Sequence, residues 1–170
     1  EIADFEISDP RSLYNGVLWN SYGNIGKKSQ VGLFVYGNLS PAGFVRVFLN
    51  GGVDYTDLDN KARNLKNSGF AGRVIAGAQF TLPKEFSINL QGGYFTPAIM
   101  LQGKQSSFYF AGINVGKSFF KKRLSVSVSM QNPFWKTMRM EMITTGDGFS
   151  YVSTNWRNSR EFRLSVSYRF

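Results

Sequence analysis

The sequence contains neither cysteine nor histidine. The first absence removes disulfides and thiolate chemistry, and the two together remove the usual zinc ligand sets. The commonest general base is also missing, so Ser-His or Cys-His catalysis cannot be assembled within this chain. No stretch approaches the ~20 consecutive apolar residues of a membrane helix. No secretory leader opens the sequence either, because Glu1 to Asp9 is acidic and mixed. The expectation is that Glu1 lies in the middle of something longer. Acidic residues are outnumbered, 11 against 20 Lys and Arg, for a net charge of +9. Such an excess suits nucleic acid, an anionic membrane surface, or basic loops without a special partner. Here the cations are dispersed: Lys27-Lys28, Lys61 to Lys66, Lys104, Lys121 to Arg123, Lys136-Arg139 and Arg157-Arg160 all fall between apolar-alternating segments. That placement fits charges flanking a membrane band, and no nucleic-acid partner is expected.

What is present is aromatic and turn-forming: 16 Phe, 8 Tyr and 18 Gly in 170 residues, a β-favouring mixture. The dominant pattern has period two. Phe162, Leu164, Val166, Tyr168 and Phe170 alternate with Glu161, Arg163, Ser165, Ser167 and Arg169. Leu124, Val126, Val128 and Met130 alternate with Arg123, Ser125, Ser127 and Ser129. One apolar face and one small or polar face is a strand signature. Further strands are expected around 31–39, 45–55, 70–82, 86–94 and 109–119, preceded by a poorly alternating one around Leu13 to Tyr22. The count is eight, in an all-β, antiparallel, up-and-down arrangement. Residues 1–10 are expected to be a lead-in segment, residues 11–170 the strand-bearing portion, and 159–170 its last strand.

Connections alternate in length. Ser40 to Gly43, Pro83 to Glu85 and Lys121-Lys122 are short; Thr56 to Ser68, Thr96 to Ser107 and Asn132 to Ser159 are long, and Asn24 to Ser29 is intermediate. A meander with that alternation puts every short turn at one end, as in outer-membrane barrels with short periplasmic turns and long extracellular loops. The strands run roughly 10 to 13 residues, close to the ~9–11 that a tilted strand needs to cross a bilayer. Gly146-Asp147-Gly148 reads as a hairpin tip, with Phe149 to Thr154 as an extra strand extending the sheet beyond the membrane.

Alternation alone does not say which face meets lipid, because a soluble lipocalin-like barrel alternates as well. Three features favour the membrane. The polar faces carry Gly, Ser, Asn, Gln and Arg rather than Lys/Glu pairs. Phe44, Phe80, Phe86, Phe119, Phe120, Tyr168 and Phe170 gather beside the short turns, where interfacial girdles form. Finally, Tyr168 and Phe170 end the chain like the signal by which the outer-membrane assembly machinery recognises its clients.

The segments "YGNIGKKSQVGLFVYGNLSPAGFVRVFLNGGVDYT", "LKNSGFAGRVIAGAQFTLPKEFSINLQGGYFTPAIMLQGK", "GKSFFKKRLSVSVSMQNPF" and "RLSVSYRF" resemble successive hairpins of the outer-membrane β-barrel family found in TonB-dependent receptors of Bacteroidetes. Tyr22, Asn24, Ile25, Gly26, Lys27 and Gly32 carry the first match, and Lys121 to Leu124, Asn132 and Pro133 the penultimate hairpin. The resemblance implies a bacterial outer-membrane protein, a barrel of about 22 strands with a plug in its lumen, and energised import of a scarce or bulky ligand. It implies that this chain supplies the C-terminal part of that wall. The implied partners are outer-membrane lipid and lipopolysaccharide, the remaining barrel and plug, and the barrel-assembly machinery.

Candidate residues follow from the same reading. Arg46, Arg73, Arg163 and Arg169, with Asp54 and Glu161, face the interior, where they contact ligand or plug or simply line a wet lumen. Lys61, Arg63 and Lys66 form a basic loop suited to lipopolysaccharide phosphates, or to keeping a loop soluble. The loop with Trp135, Met138, Met140, Met142 and Trp156 is adaptable or structural. "DYTDLDNKAR" lacks the glycine and final glutamate of a calcium loop, and no phosphate-cradling or nucleophile-elbow motif occurs. No catalytic residue, cofactor or metal is expected. The competing readings are a self-contained eight-stranded barrel for anchoring or adhesion, a soluble ligand-binding barrel, and, with least support, an outer-membrane hydrolase.

Overall fold

A computed structural model describes the backbone of residues 2–146 and 148–170, and the side chains outside residues 1–13 and 18–25. Twelve strands are present among the described residues: β1 (Ile2–Tyr14), β2 (Val17–Ala42), β3 (Val45–Asn60), β4 (Leu65–Leu82), β5 (Phe86–Phe95), β6 (Ala98–Met100), β7 (Gly103–Gln105), β8 (Phe108–Phe119), β9 (Leu124–Gln131), β10 (Thr137–Gly146), β11 (Phe149–Asn158) and β12 (Glu161–Tyr168). Eight of them form one antiparallel sheet in the order β1-β2-β3-β4-β5-β8-β9-β12. The other four form a smaller sheet in the order β11-β10-β7-β6. The large sheet is a plain meander, and among the described residues its two ends do not pair with each other.

The all-β antiparallel class and seven of the eight strands of the large sheet (β2 to β5, β8, β9 and β12) agree with the alternation, but the start of the chain does not. Residues 2–14 are a strand rather than a lead-in. The strand expected around Leu13 to Tyr22 is split by a hairpin turn at Asn15 (φ 50) and Gly16 (φ 77), its first residues ending β1 and those from Val17 on opening β2. Two consecutive positive φ values are what a tight type I′ hairpin demands, and Asn-Gly meets that demand at least cost. Asn24 to Ser29, expected as a connection, lies inside the 26-residue β2. Of the residues matched to the receptor hairpin, the side chains of Tyr22, Asn24 and Ile25 lie outside the described set.

The far-end "loops" are mostly strand. Thr56 to Ser68 continues β3 and β4 in register from Thr56↔Gly69 to Asn60↔Leu65, leaving only a short helical tip at Lys61–Arg63. Thr96 to Ser107 contains the small hairpin β6–β7. Asn132 to Ser159 contains the hairpin β10–β11, paired from Thr137↔Asn158 to Gly146↔Phe149. The strand expected over Phe149 to Thr154 is therefore present, but it belongs to the second sheet rather than prolonging the first. Asp147 of the expected tip lies outside the described residues.

Burial follows the architecture. Among the described residues the buried apolar side chains are Leu58, Leu101 and Met138, all near the far end. The apolar face of the large sheet is open: Leu33, Leu164 and Val166 are each about two-thirds exposed. A sheet that leaves such a face bare is not stable in water, so this face requires an apolar solvent or partner.

Candidate functional site

The strand register sorts the two faces into layers. On the polar face one lateral row runs Arg46↔Gln79, Gln79↔Asn89, Asn89↔Asn114, Asn114↔Ser129 and Ser129↔Arg163, crossing six strands without an apolar side chain. The Asn89 amide donates to the Asn114 carbonyl at 3.4 Å. Below that row lie Ser87, Gly116, Ser127 and Ser165, also in register. Above it Gln91, Gly112, Gln131 and Glu161 continue the polar surface, and an open groove of about 250 Å³ is lined in part by Asn89, Gln91, Asn114, Ser129 and Gln131. Such a surface offers neutral donors and acceptors in both senses.

Higher still, the polar face becomes aromatic. Phe34↔Gly52, Gly52↔Arg73, Arg73↔Phe95 and Phe95↔Phe108 form one row. The Arg73 guanidinium lies 5.6 Å from the Phe34 ring centre, and Phe95 and Phe108 stand 5.7 Å apart. These rings need room: a Cβ at Gly52 would sit 2.3 Å from Phe34, and one at Gly93 2.5 Å from Phe110. Glycine on one strand thus makes the seat for a ring on its neighbour.

The second sheet folds over the far end. Asn67, on the polar side of β4, donates from Nδ2 to the carbonyls of Met100 (2.6 Å) and Gly103 (3.1 Å). Thr96 binds Gly72 through both its Oγ1 and its backbone N–H, and the Ile99 side chain rests on Gly69. β7 pairs with β10, carrying the cap outward. At the root of the long excursion the buried Asn132 accepts from Ala111 N at 2.9 Å and donates to Ser159 O at 2.9 Å. An open cleft of about 420 Å³ remains between cap and wall, lined in part by Leu65, Lys66, Asn67, Ile99, Lys104 and Ile143.

The four arginines expected in the interior do not converge. Arg46 and Arg163 stand at opposite ends of the amide row, about 24 Å apart at the usual interstrand spacing. Arg163 is tied to Glu161 at 2.7 Å. Arg73 belongs to the aromatic layer, and the Arg169 backbone N–H donates to Arg123 O at the short-turn end. Asp54 accepts from Gln30 at 2.8 Å rather than facing a cation. Lys61 and Arg63 cap the β3–β4 tip, where Asn60 Oδ1 accepts the Arg63 N–H at 3.1 Å. Lys66 lies on the outer side, 3.8 Å from Asp57. Tyr168 and Phe170 meet edge to face at 5.1 Å. Among the described residues no cluster of three metal-ligating side chains occurs. Sequence reasoning missed the cap and also Lys117, a cation within the apolar series of β8 between Val115 and Phe119. Its signal was the break in that alternation.

On the apolar face two aromatic belts are visible. Tyr55, Phe70, Tyr94, Tyr109 and Trp135 mark the far end, with Tyr55–Phe70 at 5.0 Å and Tyr109–Trp135 at 4.8 Å. Phe86, Phe119 and Tyr168 mark the short-turn end. Along β8 the belts are separated by the run from Tyr109 to Phe119, which rises about 25 Å in a strand tilted by roughly 40°. That is the height of the apolar band of an outer-membrane barrel. Just above Tyr55 and Phe70 the same face turns charged, with Lys27↔Asp59 and Asp59↔Lys66 in register. An antiparallel meander with two belts at that spacing defines the wall of a transmembrane β-barrel.

Residues 3–168 match the model of the outer membrane protein beta-barrel family. The chain belongs to that family, and its place is the bacterial outer membrane. Comparison with curated proteins and with solved structures returned no match.

Proposed function

We propose that the chain forms part of the wall of a TonB-dependent receptor, a plugged barrel of about 22 strands that imports a scarce or bulky ligand. The observation that carries this reading is the amide row from Arg46 to Arg163, spread over a sheet whose outer strands, among the described residues, do not pair with each other. Eight strands closed on themselves leave an interior just wide enough for side chains. The rings of Phe34, Phe95, Phe108 and Phe110, together with the arginines, ask for more space. A neutral amide surface also suits a protein plug, whose backbone groups need partners of both kinds. The resemblance of the hairpins to Bacteroidetes receptors supports the same reading. In it the wall does no covalent chemistry, Tyr168 and Phe170 address the assembly machinery, and Lys61, Arg63 and Lys66 meet lipopolysaccharide phosphates.

The absence of cysteine from these 170 residues makes a direct test possible. Single cysteines are placed at successive positions along β1 and combined with single cysteines along β12, the two edge strands of the large sheet, in the full protein in outer membranes. A closed eight-stranded barrel brings such pairs together and gives intrachain disulfides; the wall of a larger barrel gives none. In planar bilayers the full protein is expected to show no steady conductance, because the plug fills the lumen. A large open conductance overturns the receptor reading while leaving the wall intact.

A further inference from the structure

Lys117 occupies a position that the rest of the apolar face reserves for hydrocarbon. It pairs in register with Phe86 on β5 and Val126 on β9, between the lipid-facing Val115 and Phe119. Its Nζ lies 4.5 Å from the Phe86 ring centre and 5.0 Å from that of Phe119. Among the described residues no carboxylate comes within ion-pair distance of it. The two rings stabilise an ammonium but do not neutralise it. They also hold the side chain, half-buried, against the outer surface at the short-turn belt.

The surroundings add charge of the same sign. β5 and β8 are neighbours, so the turn before one and the turn after the other lie side by side. These turns carry Lys84, Lys121, Lys122 and Arg123, all exposed, against the single acid Glu85. In outer-membrane barrels this end faces the periplasm and the inner leaflet.

We infer that Lys117 and the cations of the two adjoining turns bind the phosphate of an anionic phospholipid in the periplasmic leaflet. A free anion would meet the turn lysines from water, whereas the approach to Lys117 runs along the lipid-facing surface between two phenyl rings. A ligand with acyl chains satisfies both: its chains lie on the apolar strands and its phosphate reaches the ammonium. The headgroup is worth about a five-fold preference per lysine at an anionic surface. The inference rests on membership of the outer-membrane family and is independent of whether the barrel is a TonB-dependent receptor.

The test uses the full protein in micelles containing equal phosphatidylcholine and phosphatidylglycerol, with retained lipid read by native mass spectrometry. Wild type is expected to retain phosphatidylglycerol several-fold over phosphatidylcholine, and Lys117→Leu to lose about five-fold of that preference. Lys117→Arg should keep it, and Lys104→Leu at the opposite end should leave it unchanged. Heat-modifiable gel mobility verifies that each variant is folded. Equal retention of the two lipids by wild type overturns the proposal, as does an unchanged preference in folded Lys117→Leu. Displacement of phosphatidylglycerol by millimolar inorganic phosphate also overturns it, because the site would then take a free anion.

Discussion

The carboxamide of Asn67 reaches from the wall to the carbonyl of Met100 at 2.6 Å, and with the same nitrogen to Gly103 at 3.1 Å. It is a side-chain strut between the transmembrane sheet and the hairpin that folds over its polar face. The other ties, Thr96 with Gly72 and Ile99 against Gly69, lie at the base of that hairpin. Removing one partner of a half-buried hydrogen bond costs about 1–3 kcal/mol. Asn67→Ala is therefore expected to raise amide hydrogen exchange in residues 98–105 by roughly ten-fold or more, with little change in the heat-modifiable mobility of the barrel. Unchanged exchange across 98–105 would mean that the cap is held from β10 instead.

Within the membrane band the sequence was an accurate guide, and the reason is solvent. Each lipid-facing residue from Val45 to Val53, or from Phe162 to Tyr168, must be apolar while its neighbours need not be, so period two is written into the hydropathy. Above the belt both faces meet water or the cap. Asp57, Asp59, Lys66 and Ser68 replace the apolar series although the backbone continues unchanged as strand. The alternation disappears while the pairing does not, which is why Thr56 to Ser68 and Asn24 to Ser29 read as loops. Asn15-Gly16 carried the local hairpin signal, but it interrupts a stretch with poor alternation, where the periodicity gave it no flanking support. Alternation put Arg46, Arg73 and Arg163 on the polar face; their dispersal between the amide row and the aromatic layer depends on cross-strand register, which no single strand encodes.

The pairing of glycine with a ring on the neighbouring strand gives a second expectation. At Gly93 an added Cβ meets Phe110 at 2.5 and 3.0 Å and Ile75 at 3.2 Å, all side-chain atoms. Gly93→Ala should push Phe110 from its seat at a cost of about 1–3 kcal/mol, the usual range for overpacking. Because no backbone atom stands in the way, shortening the ring should relieve the clash. The double variant Gly93→Ala/Phe110→Leu is expected to recover part of the loss. Unfolding in guanidinium from detergent micelles measures both, and a double variant no better than the single one would place the strain in β5 itself.

The assignment of faces is tested most sharply by two adjacent residues of β8. Val115 sits midway between the belts on the apolar face, paired with Ile88 and Val128; Asn114 points to the polar face, paired with Asn89 and Ser129. An arginine on the lipid face near the bilayer midplane costs about 2–4 kcal/mol, whereas a polar-face position has water or polar partners for the same group. Val115→Arg is thus expected to lower the folded fraction in phospholipid vesicles by roughly thirty-fold or more in the folding equilibrium, and Asn114→Arg to change it little. The two substitutions add the same side chain one residue apart, so the added charge is the same in both. A soluble barrel with its apolar face inward also suffers from Val115→Arg, but it folds in plain buffer and gains nothing from vesicles. Measuring both variants with and without lipid therefore separates the two architectures: dependence on lipid together with an intolerant Val115 fixes the apolar face toward the bilayer, and folding in buffer reverses it.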